Sequence, residues 1–316
     1  MANTHQIHPA SSPGKGNRTK ALLALGFVCV SWGTTWVASR LGVQYMPALQ
    51  MAGIRQFLAG SIYIIFFLAR RASWPRGREW GVVVVLSLLN FFLTNGLTTL
   101  GVKYISAGLG AIIAAIFPLW LVLFGLFSRQ ASHTPLKAHV GLWLGFGGVC
   151  VIFYDHLKDF LHPDFRFGII ISLAGSVSWA MGTVLTKKEA SQFNPYFSIG
   201  LQMALSGLLL YGSAAISGQT LPLGQIPAQA WMAISYLVLM GSVLSFLAFL
   251  YALQHLPTQQ LSIYAYMNPV VAVLVGSWIS SERLSWMIGL GGAIALLGVY
   301  LVNQSYKFKA AEPETS

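Results

Sequence analysis

The sequence predicts an all-α integral membrane protein whose ten transmembrane helices form two inverted five-helix repeats. Three observations lead there. Of 316 residues, 55% are hydrophobic and only 9% are charged, against about 25% charged in soluble domains. The apolar residues gather into ten runs, each of about 20 residues and so long enough to cross a bilayer as a helix. The second five runs echo the first five. Five crossings is an odd number, so the second set sits upside down relative to the first. Inverted repeats of this kind mark secondary transporters, whose binding site lies between the halves near the midplane.

The helices are predicted at 21–39, 48–69, 79–101, 105–127, 137–154, 167–187, 196–217, 228–253, 258–279 and 285–304. A polar, basic cytoplasmic tail over 1–20, with Lys15, Arg18 and Lys20, precedes the first. No small-residue cleavage site follows a short apolar core, so the first helix is expected to be retained rather than removed as a signal peptide. Pro47 follows the first helix, Ser73-Trp74-Pro75-Arg76-Gly77 follows the second, and Asn194-Pro195 precedes the seventh. Ser217-Gly218-Gln219 through Pro222 and Pro227 separate the seventh and eighth. All are turn chemistry. Very short turns join helices 3 and 4, and 8 and 9, which predicts two antiparallel hairpins. The chain divides into a first repeat at 21–154, an outer connecting loop at 155–166, a second repeat at 167–304 and a polar cytoplasmic tail at 305–316.

Lys and Arg set the orientation. With the N-terminus inside, inner segments hold Lys15, Arg18, Lys20, Arg70, Arg71, Arg76, Arg78, Arg129, Lys137, Lys187, Lys188, Lys307 and Lys309. Outer segments hold only Arg40, Lys103, Lys158, Arg166 and Arg283. The asymmetry places both termini on the cytoplasmic side of a multi-pass protein of the cytoplasmic (inner) membrane. It also accounts for the net charge of +11 without a nucleic-acid partner. Cys29 and Cys150 fall inside apolar helices and read as packing residues rather than a disulfide.

The echo between the halves is carried by particular residues. Val30-Ser31-Trp32 recurs as Val177-Ser178-Trp179. At the same shift Arg40 meets Lys187, Arg55 meets Gln202 and Gly60 meets Gly207; after a small slip Pro118 meets Pro269. Gly141 then meets Gly291, and Gly148-Val149 meets Gly298-Val299. Together with Ser31-Trp32-Gly33, Arg55 after Met51-Ala52-Gly53-Ile54, Ile116-Phe117-Pro118, Met267-Asn268-Pro269, Ser281-Glu282-Arg283-Leu284 and Leu297-Gly298-Val299-Tyr300, this pattern resembles the EamA-like branch of the drug/metabolite transporter superfamily. The likeness runs from helix 1 to Asn303. It departs at Ser281, where the family usually has Gly, and at Ala131, where the repeat would put an acid to match Glu282. The resemblance implies ten helices in two inverted halves, cytoplasmic termini and export of small metabolites.

Candidate functional residues lie inside the spans. Arg55 is the one charge deep in a helix, a costly position that points to a bundle interior or wet cavity. It could grip a carboxylate through two parallel hydrogen bonds, or bond carbonyls of a neighbouring helix. Ser31, Thr35 and Ser39 share one face of helix 1 beside Trp32, and Ser172, Ser176, Trp179 and Thr183 share one face of helix 6. Helix 3 carries Asn90, Thr94 and Thr98, with Asn95 near. Such stripes serve either helix packing or cavity lining. Trp32, Trp179, Tyr264 and Tyr266 lie inside spans, whereas Trp74, Trp80 and Trp286 read as interfacial belt residues. The cavity candidates are thus Trp32, Thr35, Arg55, Asn90, Thr94, Trp179, Thr183, Tyr264 and Asn268. Pro118 and Pro269 each remove a backbone hydrogen bond and bend their helices, as a gating kink or a static bend. The glycines of helices 5 and 10 suit close packing within the monomer or a homodimer seam.

Absences narrow the function. Apart from Glu79 at the very start of the third, no span contains Asp or Glu, no His pair has metal-ligand spacing, and no phosphate-binding loop is present. No cofactor or metal is expected, and no nucleophile has a convincing base. The reading is a transporter of small organic metabolites, an amino-acid or related metabolite exporter working by alternating access. Drug efflux is the alternative, followed by a membrane enzyme or sensor. The expected partners are a small-molecule substrate and the lipid bilayer.

Overall fold

The structure, a computed structural model, describes residues 15–117, 119–120, 123–124, 136–155, 159–189, 194–256, 263–279 and 285–309. Regular structure among them is helical throughout. The helices are α1 (Lys15–Gly42), α2 (Ala48–Ala69), α3 (Arg78–Gly101), α4 (Ala107–Ala115), α5 (Leu136–Asp155), α6 (Pro163–Glu189), α7 (Pro195–Ile216), α8 (Ala228–His255), α9 (Ile263–Ile279) and α10 (Trp286–Lys309). Six of them, α1, α2, α3, α6, α7 and α8, contain stretches long and apolar enough to cross a membrane; α9 and α10 contain shorter apolar stretches. The surface is that of a protein solvated by lipid: Leu23, Ile65, Ile170 and Trp278 are more than 60% exposed. Conversely, Gln50, Gln56, Ser87, Ser206 and Ser242 are buried.

Local chemistry fixes several ends. Pro47 precedes α2. Ser106 caps α4, its hydroxyl accepting from the Leu109 N–H at 3.1 Å, so the helix starts two residues later than predicted. The Asn194 side chain accepts from the amides of Tyr196 and Phe197 at 3.0 and 3.1 Å, with Pro195 in the first turn of α7. These side chains satisfy orphan N–H groups that a bilayer cannot. Arg40 does the same for carbonyls: its Nη1 donates to Val102 O at 2.7 Å and Lys103 O at 2.6 Å, tying α1 to the end of α3. Gln50 clasps the loop before α8, donating to Leu221 O at 2.7 Å and accepting from Leu221 N at 2.9 Å. Two helices overrun their predicted limits. α1 takes in the polar residues from Lys15, and α10 runs on to Lys309 rather than stopping near Asn303; polarity ends a span but does not end a helix.

The expected hairpins are corrected. Among the described residues α4 packs mainly against α9, α6 and α1, more than along α3, and α9 mainly against α1 and α4, more than along α8. A short turn fixes where two helix ends meet, while small residues decide where the helices run. A Cβ on Gly33 would collide with Val271 of α9, so glycine there lets α1 and α9 close.

Two seams are built from glycine. α2 and α7 cross antiparallel, Gly53 against Gly207 and Gly60 against Gly200, so closely that a Cβ on any of the four would strike the opposite helix. At the shift of 147 read in the sequence, Gly53 echoes Gly200 and Gly60 echoes Gly207. Exchanging each residue for its echo returns the same two contacts. α5 and α10 repeat the device, with Gly148 against Gly291 and Gly298 against Gly141. In lipid, helices gain little from hydrophobic burial against one another, so this backbone approach is a large part of what holds the bundle. The glycines that offered a homodimer seam are largely taken up within one chain.

A further symmetric feature carries no mark in the sequence. α3 is π-helical over Ser87–Leu93, and α8 over Leu237–Leu244. Residues 86–118 align with 237–269 without a gap, so the two π segments fall on equivalent positions. The widened turns free carbonyls, and hydroxyls five residues along return to them. Thr94 Oγ1 donates to Leu89 O at 2.7 Å, and its equivalent Ser245 donates to Met240 O.

Candidate functional site

The π segments and the tryptophan-bearing helices enclose a cavity of about 1070 Å³, counting all atom-free space between its walls and at its mouth. Among the described residues α1, α2, α3, α4, α6, α8 and α9 contribute to its lining, and α5, α7 and α10 do not. Of the predicted residues, Trp32, Thr35, Arg55, Thr94, Trp179, Tyr264 and Asn268 line it. Asn90 and Thr183 do not. Asn90 is buried behind the wall, donating to Thr186 Oγ1 at 3.3 Å and lying where a Cβ on Gly182 would go. Thr183 returns its hydroxyl to Trp179 O at 2.8 Å. Both were placed by helical spacing, and the π turn in α3 shifts its face at Asn90. Pro118 lies outside the described residues, while Pro269 is buried inside α9.

One wall is aromatic. The Trp32 ring lies 5.3 Å from Phe246, 5.2 Å from Phe249 and 5.2 Å from Tyr264, measured between centroids. Its Nε1 donates to Gly241 O at 3.1 Å, a carbonyl in the π segment of α8. Gly241 must be glycine for α1 to come this near, since a Cβ would meet the Thr35 methyl. Below this wall Ser31 and Ser245 share a 2.6 Å hydroxyl contact.

The opposite wall is amide and hydroxyl: Asn95, Thr94, Thr98 and Ser176 around Trp179. Much of its hydrogen-bonding capacity is already used. Asn95 Nδ2 donates to Asn90 O at 3.2 Å, Thr98 Oγ1 donates to Thr94 O at 2.7 Å, and Trp120 Nε1 donates to Ser176 Oγ at 3.1 Å. Thr35 likewise donates to Trp32 O at 2.6 Å. With its amide nitrogen turned inward, Asn268 donates to Cys29 O and Tyr264 O at 3.1 Å each, tying α9 to α1. Thr35, Thr94 and Thr98 therefore do both things the sequence leaves open, bonding to backbone while they line the cavity.

The two walls differ at equivalent positions. At the shift of 151, Phe246 corresponds to Asn95, Phe249 to Thr98 and Tyr264 to Ile113. Trp32 and Trp179 correspond at the shift of 147. An apolar body with a few polar groups in fixed places is the usual composition of a small-molecule site.

Arg55 supplies the charge. It is half-buried in α2, and its Nε donates to Ser242 Oγ of α8 at 3.3 Å. No acidic residue appears among the described lining residues. The remaining guanidinium donors are therefore free of an ion pair in the wall and suit an anion in the cavity. Gln56, next to it, also lines the cavity and was missed by the sequence reading. So were Phe246 and Phe249, which look like any lipid-facing phenylalanine until α8 is placed. No cluster of three potential metal ligands occurs among the described residues.

Known proteins resemble this chain. The sequence pattern of the EamA-like transporter family matches residues 19–154 and 166–304. The uncharacterized transporter YvbV of Bacillus subtilis (strain 168) is 28% identical over 301 residues, covering 93% of this chain and 95% of that one. The uncharacterized inner membrane transporter YedA of Escherichia coli (strain K12) is 29% identical over 296 residues, 92% of each chain. A protein solved by crystallography superposes with a TM-score of 0.61 at 18% identity, over 90% of this chain and 97% of its own; at that identity the likeness concerns the fold alone.

Proposed function

Because the chain belongs to the EamA-like transporter family, we propose that it is a ten-span carrier of the cytoplasmic membrane, with both termini inside. In this reading it exports small organic metabolites, amino acids or related compounds first, by alternating access between two inverted halves. The inverted layout is supported by the reciprocal glycine contacts of α2 with α7 and α5 with α10, and by the paired π segments. The membrane is supported by the name of the relative YedA and by the apolar outer surface.

The observation that carries the cargo class is Arg55 in the wall of an aromatic-backed cavity whose other described lining residues carry no charge. A guanidinium there favours a carboxylate and disfavours a cation. The aromatic wall taken alone would also suit a lipophilic cation, which is the drug-efflux reading; Arg55 weighs against it.

The test is flux through the purified protein in liposomes without ATP, with phenylalanine and leucine compared against tetraphenylphosphonium. Uptake of the amino acids is expected, and Arg55→Lys, which keeps charge but loses the planar fork, should lower it about tenfold or more, the scale of one lost charged hydrogen bond. Uptake of the cation alone would replace this reading with drug efflux. Product formation without flux would make the protein an enzyme.

A further inference from the structure

Gln56 is a buried polar side chain that the packing does not account for. It is 1% exposed, it lines the cavity, and its Oε1 has no hydrogen-bond partner in the protein. A buried acceptor left unpaired is destabilising, and native proteins rarely keep one without a use for it. The other two unpaired buried side-chain atoms among the described residues, Asn90 Oδ1 and Ser172 Oγ, do not line the cavity.

The second half shows that the fold does not need this group. Gln56 lies three residues after Gly53 and four before Gly60, on the face of α2 that crosses α7. Its equivalent, Met203, lies between Gly200 and Gly207 in the same way and is fully buried. A methionine thus fills the position without any hydrogen bond. The neighbouring pair differs as well: Arg55 faces the cavity, whereas its equivalent Gln202 donates to Ser198 Oγ of its own helix at 2.9 Å. Of these two equivalent pairs the members that line the cavity are both on α2, Arg55 a cationic donor and Gln56 an amide whose carbonyl oxygen has no partner in the protein. Successive residues on a helix point about 100° apart, so the two do not satisfy each other but offer two separate points of attachment.

We propose that the Gln56 carbonyl oxygen accepts a hydrogen bond from an N–H of the cargo while Arg55 takes its anionic group, so that the cavity selects solutes carrying both. An amino acid has both, and its desamino analogue has only the anion. Gln56 is in this sense the specificity-determining residue of the site, and the assignment rests on the carrier reading given above.

The experiment compares phenylalanine with 3-phenylpropanoate in reconstituted vesicles, as the ratio of their KM values. Wild type should prefer phenylalanine. Gln56→Met, which installs the side chain found at the equivalent position, should lower that preference about tenfold, the effect of one hydrogen bond to a charged group. Gln56→Glu, which keeps an oxygen acceptor at the same reach, should retain the preference even if uptake of both probes weakens. The thermal midpoint of the empty protein should not fall in Gln56→Met, because the oxygen it removes is unpaired. An unchanged preference in Gln56→Met, or a lowered midpoint with both probes affected equally, would make Gln56 structural and overturn the inference while leaving the carrier reading intact. If wild type carries neither probe, the carrier reading for this cargo class fails and the inference falls with it.

Discussion

Trp32 and Trp179 are equivalent in sequence but not in surroundings, and that difference can be measured. Trp32 has three ring neighbours at 5.2–5.3 Å and an indole hydrogen bond of 3.1 Å to Gly241 O. Trp179 has no ring partner or indole hydrogen bond among the described residues and is half-buried beside the polar wall. Truncating a core tryptophan costs about 3–5 kcal/mol. Aromatic pairs are worth ~0.5–1.5 kcal/mol each beyond area, and the hydrogen bond a further ~1 kcal/mol. These terms share one cluster and do not add fully. Trp32→Ala should therefore lie at the top of the range, and Trp179→Ala about 2 kcal/mol below it. Trp32→Phe, which keeps a ring and loses only the indole N–H, should cost about 1 kcal/mol. The assay is chemical unfolding of purified protein in micelles, alongside phenylalanine uptake in vesicles under conditions where each variant is folded. Both alanine variants should lose uptake. Equal stability costs would show that the aromatic wall does not anchor Trp32, and normal uptake in both folded variants would place the transport pathway elsewhere.

The glycine seam makes a second prediction. Gly60→Ala and Gly207→Ala push a methyl into backbone that cannot turn aside and should each cost about 1–3 kcal/mol, whereas Gly81→Ala, with open space around it, should cost nothing; equal midpoints for all three would refute close backbone packing. A third concerns orientation. In a background without Cys29 and Cys150, single cysteines in the Arg70–Arg78 loop should resist an impermeant thiol reagent in intact cells, and those in the Asp155–Asp164 loop should react. The reverse labelling pattern would invert the topology.

Helix positions were legible because each depended on local signals: the apolar runs, Pro47, Asn194-Pro195 and the small residues of the turns. Trp32 and Arg55 could be picked out because their side chains are expensive or unusual inside a span wherever the neighbours lie. What could not be read depended on contacts between distant segments. A period of 3.6 puts Asn90 on the cavity face, and that period fails across the π segment Ser87–Leu93; Thr183 keeps the period on α6 but turns its hydroxyl back to Trp179 O. Nothing in Ser87–Leu93 or Leu237–Leu244 marks a widened turn, because its carbonyls are served partly from outside the segment, by Thr94, Ser178 and Trp32. Gln56 was passed over for a related reason: a glutamine with both amide groups bonded and one with an orphan oxygen are the same letter.

The internal echo separates what the fold needs from what the cargo needs. In the inverted-repeat reading proposed above both halves build the same bundle, so a residue required by the architecture should be found twice. Gly53 and Gly200, Gly60 and Gly207, Thr94 and Ser245 meet that requirement, and each pair makes the same kind of contact in both halves. A cargo has no twofold symmetry, so residues that recognise it need appear only once. Arg55 against Gln202, Gln56 against Met203, Asn95 against Phe246, Thr98 against Phe249 and Ile113 against Tyr264 all break the echo, and in each pair at least one member lines or immediately backs the cavity. The breaks also sort by chemistry, with charge and amide on α2, polar groups on α3 and rings on α8 and α9. A bound solute would then lie with its apolar part toward Trp32 and Phe246 and its polar head toward Arg55 and Gln56. In the alternating-access carrier proposed above, whose halves would be alike in backbone and unlike in lining, that orientation would be kept during passage, and the same contacts would serve both sides of the membrane.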